Sequence, residues 1–327
     1  LRNLSAAIVK MPGQQKTMPE IEILLATHNG RSYLAQQIDS ILRQTFTDWR
    51  LLISDDASND GTRELARAYA QAHPGRIRVI DGLPQRGGAC RNFAHLLRHS
   101  SADYVAFCDQ DDCWHPDKLA ASLEMMRALE KVHGKDGPVL VHTDLQVVDE
   151  GGRVMTPSFW RRQHLDPVRG RRLSHLLVQN VVTGCTMLIN ARLRDLCRSI
   201  PSGAIMHDWW IALVAAVFGR IAHLPQATVC YRQHPGNAIG APGWNCSFVF
   251  RRLCSPGTIR HSLQSTRRQA AVFMTHFAAL LPARERRIIR FYAELEKENF
   301  FMRRIRICQF SFLKSGLLRN LAYLAMV

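Results

Sequence analysis

Tyr104-Val105-Ala106-Phe107-Cys108-Asp109-Gln110-Asp111-Asp112 is a short apolar run that breaks off into three carboxylates. A short apolar run bounded by polar residues reads as a buried strand, and the preceding sequence repeats the arrangement. Ile21 to Ala26 runs into Thr27-His28-Asn29-Gly30 and then into helical spacing at Leu34, Ile38, Ile41 and Leu42. Trp49 to Ser54 is closed by Asp55-Asp56-Ala57-Ser58-Asn59-Asp60-Gly61-Thr62, turn formers that lead into a helix carrying Leu65, Ala66 and Tyr69. Ile77 to Ile80 leads through Gly87-Gly88 to a helix with Phe93, Leu96 and Leu97. Strands alternating with helices predict an α/β domain with a mainly parallel central sheet, covered on both faces. Ligands of such sheets bind beyond the carboxyl ends of the strands. The loops Thr27 to Gly30, Asp55 to Thr62 and Asp109 to Asp112 are therefore predicted to converge on one site.

Further along, a helix is expected around Leu119 to Leu129, strands at Val139 to His142, Val147 to Val148 and Val181 to Ile189, an apolar helix at Trp209 to Val217, and a late strand at Ala227 to Tyr231. The loop through Pro157 and Pro167 is long and basic and reads as a mobile acceptor-side segment. From about Ser247 the pattern changes to basic helical stretches such as Arg284 to Arg306, with Ile288, Ile289, Phe291, Tyr292, Leu295 and Phe300 as apolar anchors. The expected division is a catalytic domain at 19–245 and a basic helical region at 246–327.

Hydrophobic residues at 46% and charged residues at 21% exclude a disordered chain. The net charge is +16, and from Ser247 onward 15 lysines and arginines face 4 glutamates, so about +11 of it lies in the last quarter. Such an excess points to an anionic partner: nucleic acid, an acidic membrane surface or a phosphate-bearing substrate. The basic region has no recognisable nucleic-acid module, and its charges are interleaved with apolar helical positions, so no nucleic acid is expected. An anionic membrane surface or a solvated helical face remain as readings. The nine cysteines form no Cys-x-x-Cys pair, which argues against a zinc ribbon or a stapled secreted scaffold. Residues 1 to 18 read as a polar lead-in, and the longest apolar run, Ile211 to Gly219, is too short to span a bilayer, so a cytoplasmic location is expected.

Asp109, Asp111 and Asp112 repel one another unless a cation sits between them. Mg2+ or Mn2+ fits, because both take oxygen ligands and are held by one or two carboxylates plus substrate phosphates. A solvated turn capping the helix that starts near Pro116 is the competing reading. Asp208 lies between His207 and Trp209-Trp210 at the start of an apolar helix. It is either a proton acceptor beside a wall of indoles for sugar stacking, or a helix N-terminal residue beside core tryptophans. Thr183-Gly184-Cys185 reads equally as a close backbone approach to a ligand or as a strand bulge.

Taken in order, Ala26-Thr27-His28-Asn29-Gly30, Gln37 to Gln44, Asp55-Asp56-Ala57-Ser58, Asn92-Phe93, Asp109-Gln110-Asp111-Asp112 with Trp114, Thr183-Gly184-Cys185-Thr186, His207-Asp208-Trp209-Trp210 and Tyr231-Arg232-Gln233-His234 resemble the family 2 glycosyltransferases, and most closely their bacterial rhamnosyltransferase-like members. The resemblance covers roughly residues 20 to 240. His28 stands where the family often has Tyr, and Arg31 where an acidic residue is common. The resemblance implies a GT-A, Rossmann-like nucleotide-sugar-binding fold and metal-dependent, inverting transfer of a hexose to an acceptor hydroxyl. It places Thr27, Asn29 and Asp56 around a pyrimidine base with Asp55 supporting their loop, and adds Asn92, Asp109 and Gln110 to the donor site. It gives Asp109 and Asp111 the divalent ion and Asp208 the role of base. It assigns Asp112, Trp114, Gly184, Cys185, His207, Trp209 and Trp210 to the sugar and acceptor side. Arg232 and His234 would close over the diphosphate, with His234 a further metal or phosphate contact; a plain surface histidine is the alternative.

The expected donor is a dTDP- or UDP-sugar, by resemblance dTDP-rhamnose, and the expected acceptor a lipid-linked glycan of O-antigen or capsule type built at the cytoplasmic face of the inner membrane. Clustered aspartates also occur in nucleotidyltransferases and two-metal nucleases, which release pyrophosphate or cut a phosphodiester. A non-catalytic nucleotide-sugar-binding protein is the third reading.

Overall fold

The computed structural model describes residues 18–83, 85–234 and 256–327. The first half is a regular alternation: β1 (Ile21–Thr27), α1 (Arg31–Leu42), β2 (Trp49–Asp55), α2 (Thr62–Ala72), β3 (Ile77–Val79), α3 (Ala89–His99) and β4 (Tyr104–Asp109). Every residue of β1 is buried, as a central strand covered on both faces requires. β3, β2, β1 and β4 lie side by side and all run parallel. In the register, Thr27 lies opposite Asp55 and Ala26 opposite Asp109, so the three polar loops leave the same edge of the sheet.

The chain continues through β5 (Cys113–Trp114), α4 (Lys118–His133), β6 (Val139–Val148), β7 (Val154–Thr156), α5 (Phe159–Arg162), α6 (Leu173–Leu176), β8 (Leu188–Asn190), α7 (Ala191–Leu196), α8 (His207–Phe218) and β9 (Arg220–Arg232). Among the described residues one sheet has the order β3-β2-β1-β4-β8-β6-β9-β5, with β7 added to β6. The expectation of a mainly parallel sheet is corrected here. β4–β8, β8–β6, β6–β7 and β9–β5 are antiparallel, and only β6–β9 continues the parallel sense, so the sheet is mixed. The parallel half is built by helical crossovers, whereas β8 is reached by a long excursion after β7 and runs antiparallel to β4.

Three local expectations also change. The two strands placed at 139–142 and 147–148 are one strand, β6. The strand placed at Val181 to Ile189 is mostly irregular: Gly184–Thr186 forms a 3-10 turn, and only Leu188–Asn190 pairs. The late strand starts seven residues earlier than expected, at Arg220, because Pro225 and Gln226 bulge out where the register jumps from Thr143–Leu224 to Asp144–Ala227. A proline at a bulge needs no ladder partner and hides the strand's apolar pattern. The loop through Pro157 and Pro167 carries α5, a 3-10 turn at Arg169–Arg171 and α6.

The C-terminal residues form α9 (Pro256–His276), α10 (Ala283–Ala293), α11 (Phe300–Phe310) and α12 (Leu317–Met326). They share a continuous apolar cluster with α8, whose Trp210 ring lies 5.1 Å from Phe273 and 6.1 Å from Phe277. Of the expected anchors, Ile289, Tyr292 and Leu295 are fully buried, Ile288 and Phe291 are partly buried, and Phe300 is exposed. The expected boundary at residues 245 and 246 lies outside the described residues. No described helix is long and apolar enough to cross a membrane.

Candidate active site

The loops after β1, β2 and β4 are tied together before any ligand is considered. Gln110 Oε1 accepts hydrogen bonds from the Thr27 hydroxyl at 2.6 Å and the His28 N–H at 2.8 Å, while its Nε2 donates to the His28 carbonyl at 2.9 Å. Gly30 makes that approach feasible, since a Cβ there would stand 2.2 Å from Gln110 Oε1. Asn29 has a positive φ of 48°, receives the Asn59 N–H on its Oδ1 at 3.0 Å and donates its own N–H to the Ser58 hydroxyl. Asp55 accepts from the Ser58 N–H and hydroxyl and so holds the turn after β2.

Asp56 is buried, and both its carboxylate oxygens accept backbone N–H groups at 2.7 Å, from Gly87 and Gly88. Asn92, placed by sequence in the donor site, is buried under it and donates to the Ser54 carbonyl at 2.9 Å. Its visible contact holds the end of β2.

The acidic cluster is divided by its surroundings. Asp109 is half-buried, and burial, with the charges of Asp111 and Asp208, raises its pKa to about 7. Asp112 is fully buried and held well above the usual carboxylate range by burial and by Asp111 and Asp109. One of its oxygens accepts the Arg232 N–H at 3.2 Å, the Cys185 thiol is a further hydrogen-bond partner, and the other oxygen faces no oxygen or nitrogen donor among the described residues. Ligand atoms of Asp109, Asp112 and Cys185 lie within 4.8 Å of one another. Asp111 is paired with the late loop, its Oδ2 2.8 Å from His234 Nε2.

Two converging carboxylates and a third beside an imidazole fit a hard divalent cation. The Cys185 thiol is kept protonated by burial, Asp112 and Asp109, and therefore contributes little to such a site.

Arg232 fastens this cluster. Its side chain donates to the Asp111 carbonyl at 3.0 Å, the Glu150 carbonyl at 2.6 Å and Gln36 Oε1 at 2.8 Å. The guanidinium stands 5.2 Å from the Tyr33 ring, and Tyr33 in turn stacks 4.6 Å from the ring of His234. The antiparallel pairing of β9 with β5 brings Arg232 and His234 here, beside residues 120 positions earlier.

Asp208 sits in the first turn of α8. It accepts the Gly184 N–H at 3.1 Å and the Trp209 N–H at 2.5 Å, yet burial outweighs these bonds and raises its pKa to about 7. Gly184 is required by the close fit to this turn, because a Cβ there would stand 2.9 Å from His207 Nε2. Of the two sequence readings of the glycine, the strand bulge is corrected, since Gly184–Thr186 is a 3-10 turn. Trp209 is partly exposed and anchored through its indole N–H to the Leu176 carbonyl at 2.6 Å.

Three residues expected on the sugar and acceptor side are placed elsewhere. Trp210 is fully buried against Phe273 and Phe277, because one step along a helix turns the next side chain about 100° away. His207 is buried with its ring stacked 4.0 Å from Phe93 and 5.4 Å from Phe107. Trp114 is buried beneath the cluster with the Lys118 ammonium 4.5 Å from its ring.

Lys118, Tyr33, Gln36 and Glu150 were missed by sequence. Lys118 is the most informative: it is fully buried, and burial lowers its pKa to about 8 despite the nearby Cys185, Cys108 and Asp112. Its position at the start of an apolar helix, directly after the carboxylates, was the available signal.

A model of the glycosyl transferase family 2 matches residues 22–183. The dTDP-rhamnosyl transferase RfbG of Shigella flexneri is 25% identical over 250 residues, covering 70% of this chain and 78% of that protein. The UDP-Glc:alpha-D-GlcNAc-diphosphoundecaprenol beta-1,3-glucosyltransferase WfgD of Escherichia coli is 33% identical over 107 residues, 32% of this chain and 40% of that protein. The mannosyltransferase PcManGT of Pyrobaculum calidifontis, solved in complex with GDP-Man and Mn2+, superposes with a TM-score of 0.54 over 94% of this chain and 79% of that one. Its 18% identity makes that a likeness of fold. The α/β architecture, the mixed sheet and the matched segment agree: this chain carries a glycosyltransferase domain of family 2 and is a sugar-transferring enzyme.

Proposed function

We propose that the protein is an inverting, metal-dependent glycosyltransferase that moves a sugar, L-rhamnose in the first instance, from a nucleoside-diphosphate sugar to a hydroxyl of a lipid-linked cell-surface glycan. The observation that supports this reading is the grouping of Asp109, Asp112 and Cys185, whose ligand atoms lie within 4.8 Å of one another at the carboxyl edge of the sheet. The catalytic domain is assigned to residues 19–245 and the basic helical region to 246–327, acting peripherally at the cytoplasmic membrane face. The relatives whose names specify dTDP-rhamnosyl transfer and a diphosphoundecaprenol-linked acceptor support the choice of donor and acceptor.

In this reading the Asp55–Ser58 turn, Thr27, Asn29 and Asp56 form the base pocket, and Asp109 and Asp111, with His234 as a further contact, would hold Mg2+ or Mn2+. When bound, that ion offsets the charge that develops on the leaving diphosphate. Asp208 takes the proton of the acceptor hydroxyl as its oxygen attacks the anomeric carbon. The bond from that carbon to the diphosphate oxygen breaks, and the configuration inverts. Arg232 keeps the Asp111 loop and the β9 end in one position while this happens.

Incubating the protein with a panel of nucleotide sugars and Mn2+ or Mg2+, and following release of free nucleoside diphosphate, tests the function. Metal-dependent release from one donor is expected. Release of pyrophosphate instead would assign the site to nucleotidyl transfer, and binding without turnover would leave a non-catalytic protein.

The raised carboxylates give a second expectation. Asp109 and Asp208 have folded pKa values of about 7, above those of an unfolded chain near 4. Between these values the folded protein holds protons that the unfolded chain has released, so stability without metal falls as pH rises across that window. A bound cation offsets the charge most where both groups are ionised. Mn2+ is therefore expected to raise the melting temperature by at least a few degrees more at pH 8 than at pH 5. Equal shifts at the two pH values in a thermal melt would count against a cation among these carboxylates.

A further inference from the structure

The C-terminal helices turn outward a surface that the transfer site does not use. Leu281, Ala283, Arg286, Arg287, Arg290 and Phe291 line a cleft of 440 Å³ at α10, with three guanidinium groups and no carboxylate among its lining residues. Arg306 of α11 reaches the same place, its guanidinium 4.7 Å from the Phe291 ring. On α11, Phe301 and Ile305 are 74% and 55% exposed one turn apart, and on α12 Leu317 and Leu321 are 75% and 57% exposed at the same spacing. The two helices are joined by Arg304, whose guanidinium donates to the Leu324 carbonyl at 2.8 Å and lies 3.4 Å from the Phe300 ring.

Single exposed apolar residues are ordinary. Apolar stripes on two consecutive helices, in a region that also carries an arginine-lined cleft, call for a partner with negative charge and an apolar layer behind it. A bilayer containing anionic lipid has both, at the spacing of headgroup and acyl chain. A nucleic acid would leave the apolar stripes in water. A second copy would press together two regions that each carry about +11 from residue 247 onward.

We propose that α10, α11 and α12 form a docking face for an anionic lipid surface, with the arginine cleft taking lipid phosphates while Phe301, Ile305, Leu317 and Leu321 enter the headgroup layer. The proposal rests on the peripheral placement of the basic region given above, and not on which sugar is transferred.

The full chain is sedimented with vesicles of phosphatidylcholine alone or mixed with phosphatidylglycerol. Binding is expected at least tenfold tighter to the mixed vesicles, and weaker as salt is raised. The R286Q/R287Q/R290Q variant is expected to lose on the order of 100-fold in partitioning. The F301S/I305S variant, altered on a different helix, is expected to lose roughly tenfold and to become fully salt-sensitive. Both should retain transfer to a soluble acceptor, which separates this surface from the catalytic reading.

Equal binding to the two kinds of vesicle would overturn the proposal. So would unchanged binding by both variants, or release from mixed vesicles by millimolar inorganic phosphate, which would make the cleft a site for a soluble anion. A dimer that forms with rising protein concentration and masks Phe301 would assign the face to a second copy.

Discussion

Asp208→Asn is expected to lower turnover by about 10²- to 10⁴-fold, the range that a positioned general base contributes, while donor affinity stays within a few-fold of the parent. The change removes the basic oxygen and keeps the size of the side chain. It does carry a local cost, because Asp208 uses one oxygen for Gly184 N–H and the other for Trp209 N–H, and an amide offers only one acceptor. Melting temperature and donor titration must therefore accompany the kinetics.

A pH profile distinguishes chemistry from packing. Burial places the Asp208 pKa at about 7 in the metal-free protein, and the base acts only when ionised. Activity should rise with pH up to that region and then level. The variant's residual activity should lack that limb. A variant retaining more than about a tenth of the parent turnover would remove Asp208 from the role.

Asp111→Ala is expected to cost at least about 100-fold in donor affinity measured with Mn2+, and much less without metal. Two contacts disappear at once, since Asp111 Oδ2 is also the partner of His234 Nε2 at 2.8 Å. His234→Ala should show a smaller loss of the same metal-dependent kind. A counter-signal makes the expectation specific. Asp111 is a like charge raising the pKa of both Asp109 and Asp112, so its removal should make the metal-free protein more stable at pH 8 even as donor binding fails. Unchanged donor affinity with Mn2+ in this variant would take the ion away from Asp111.

The legible part of the fold was the part whose signals are local. β1 to β4 each show a short, mostly apolar run followed by polar loop residues, and the register places the loops after β1, β2 and β4 together as the alternation implied. β9 was only half visible, because Pro225 and Gln226 interrupt its pattern at a bulge that the pairing with β6 tolerates. At the site, the support that the resemblance implied for Asp55 is seen in its bonds to Ser58, whereas the tie that Gln110 makes to Thr27 and His28 had no local signal.

Trp209 and Trp210 were not separable by sequence, since adjacent aromatic residues on a helix differ only in the face that tertiary packing selects. Lys118 escaped for a related reason. A lysine is ordinarily solvent-exposed, and only the depth of Asp112 and Cys185 beside it explains why this one is buried. The length of Arg232's reach, from Asp111 to Gln36 and Glu150, depends on long-range strand pairing, which no local pattern encodes.

The pairing of β9 with β5 also fixes an order of assembly. Asp111 and His234 are 123 positions apart, and the segment matched to the family ends at residue 183, before either Arg232 or His234 has been made. A chain emerging from the ribosome therefore displays its three carboxylates early, with neither guanidinium nor imidazole to face them. The cluster stays open and self-repelling until the last strand arrives. If Asp111 and His234 hold the proposed cation together, a chain halted before residue 234 keeps the acidic loop without its imidazole partner.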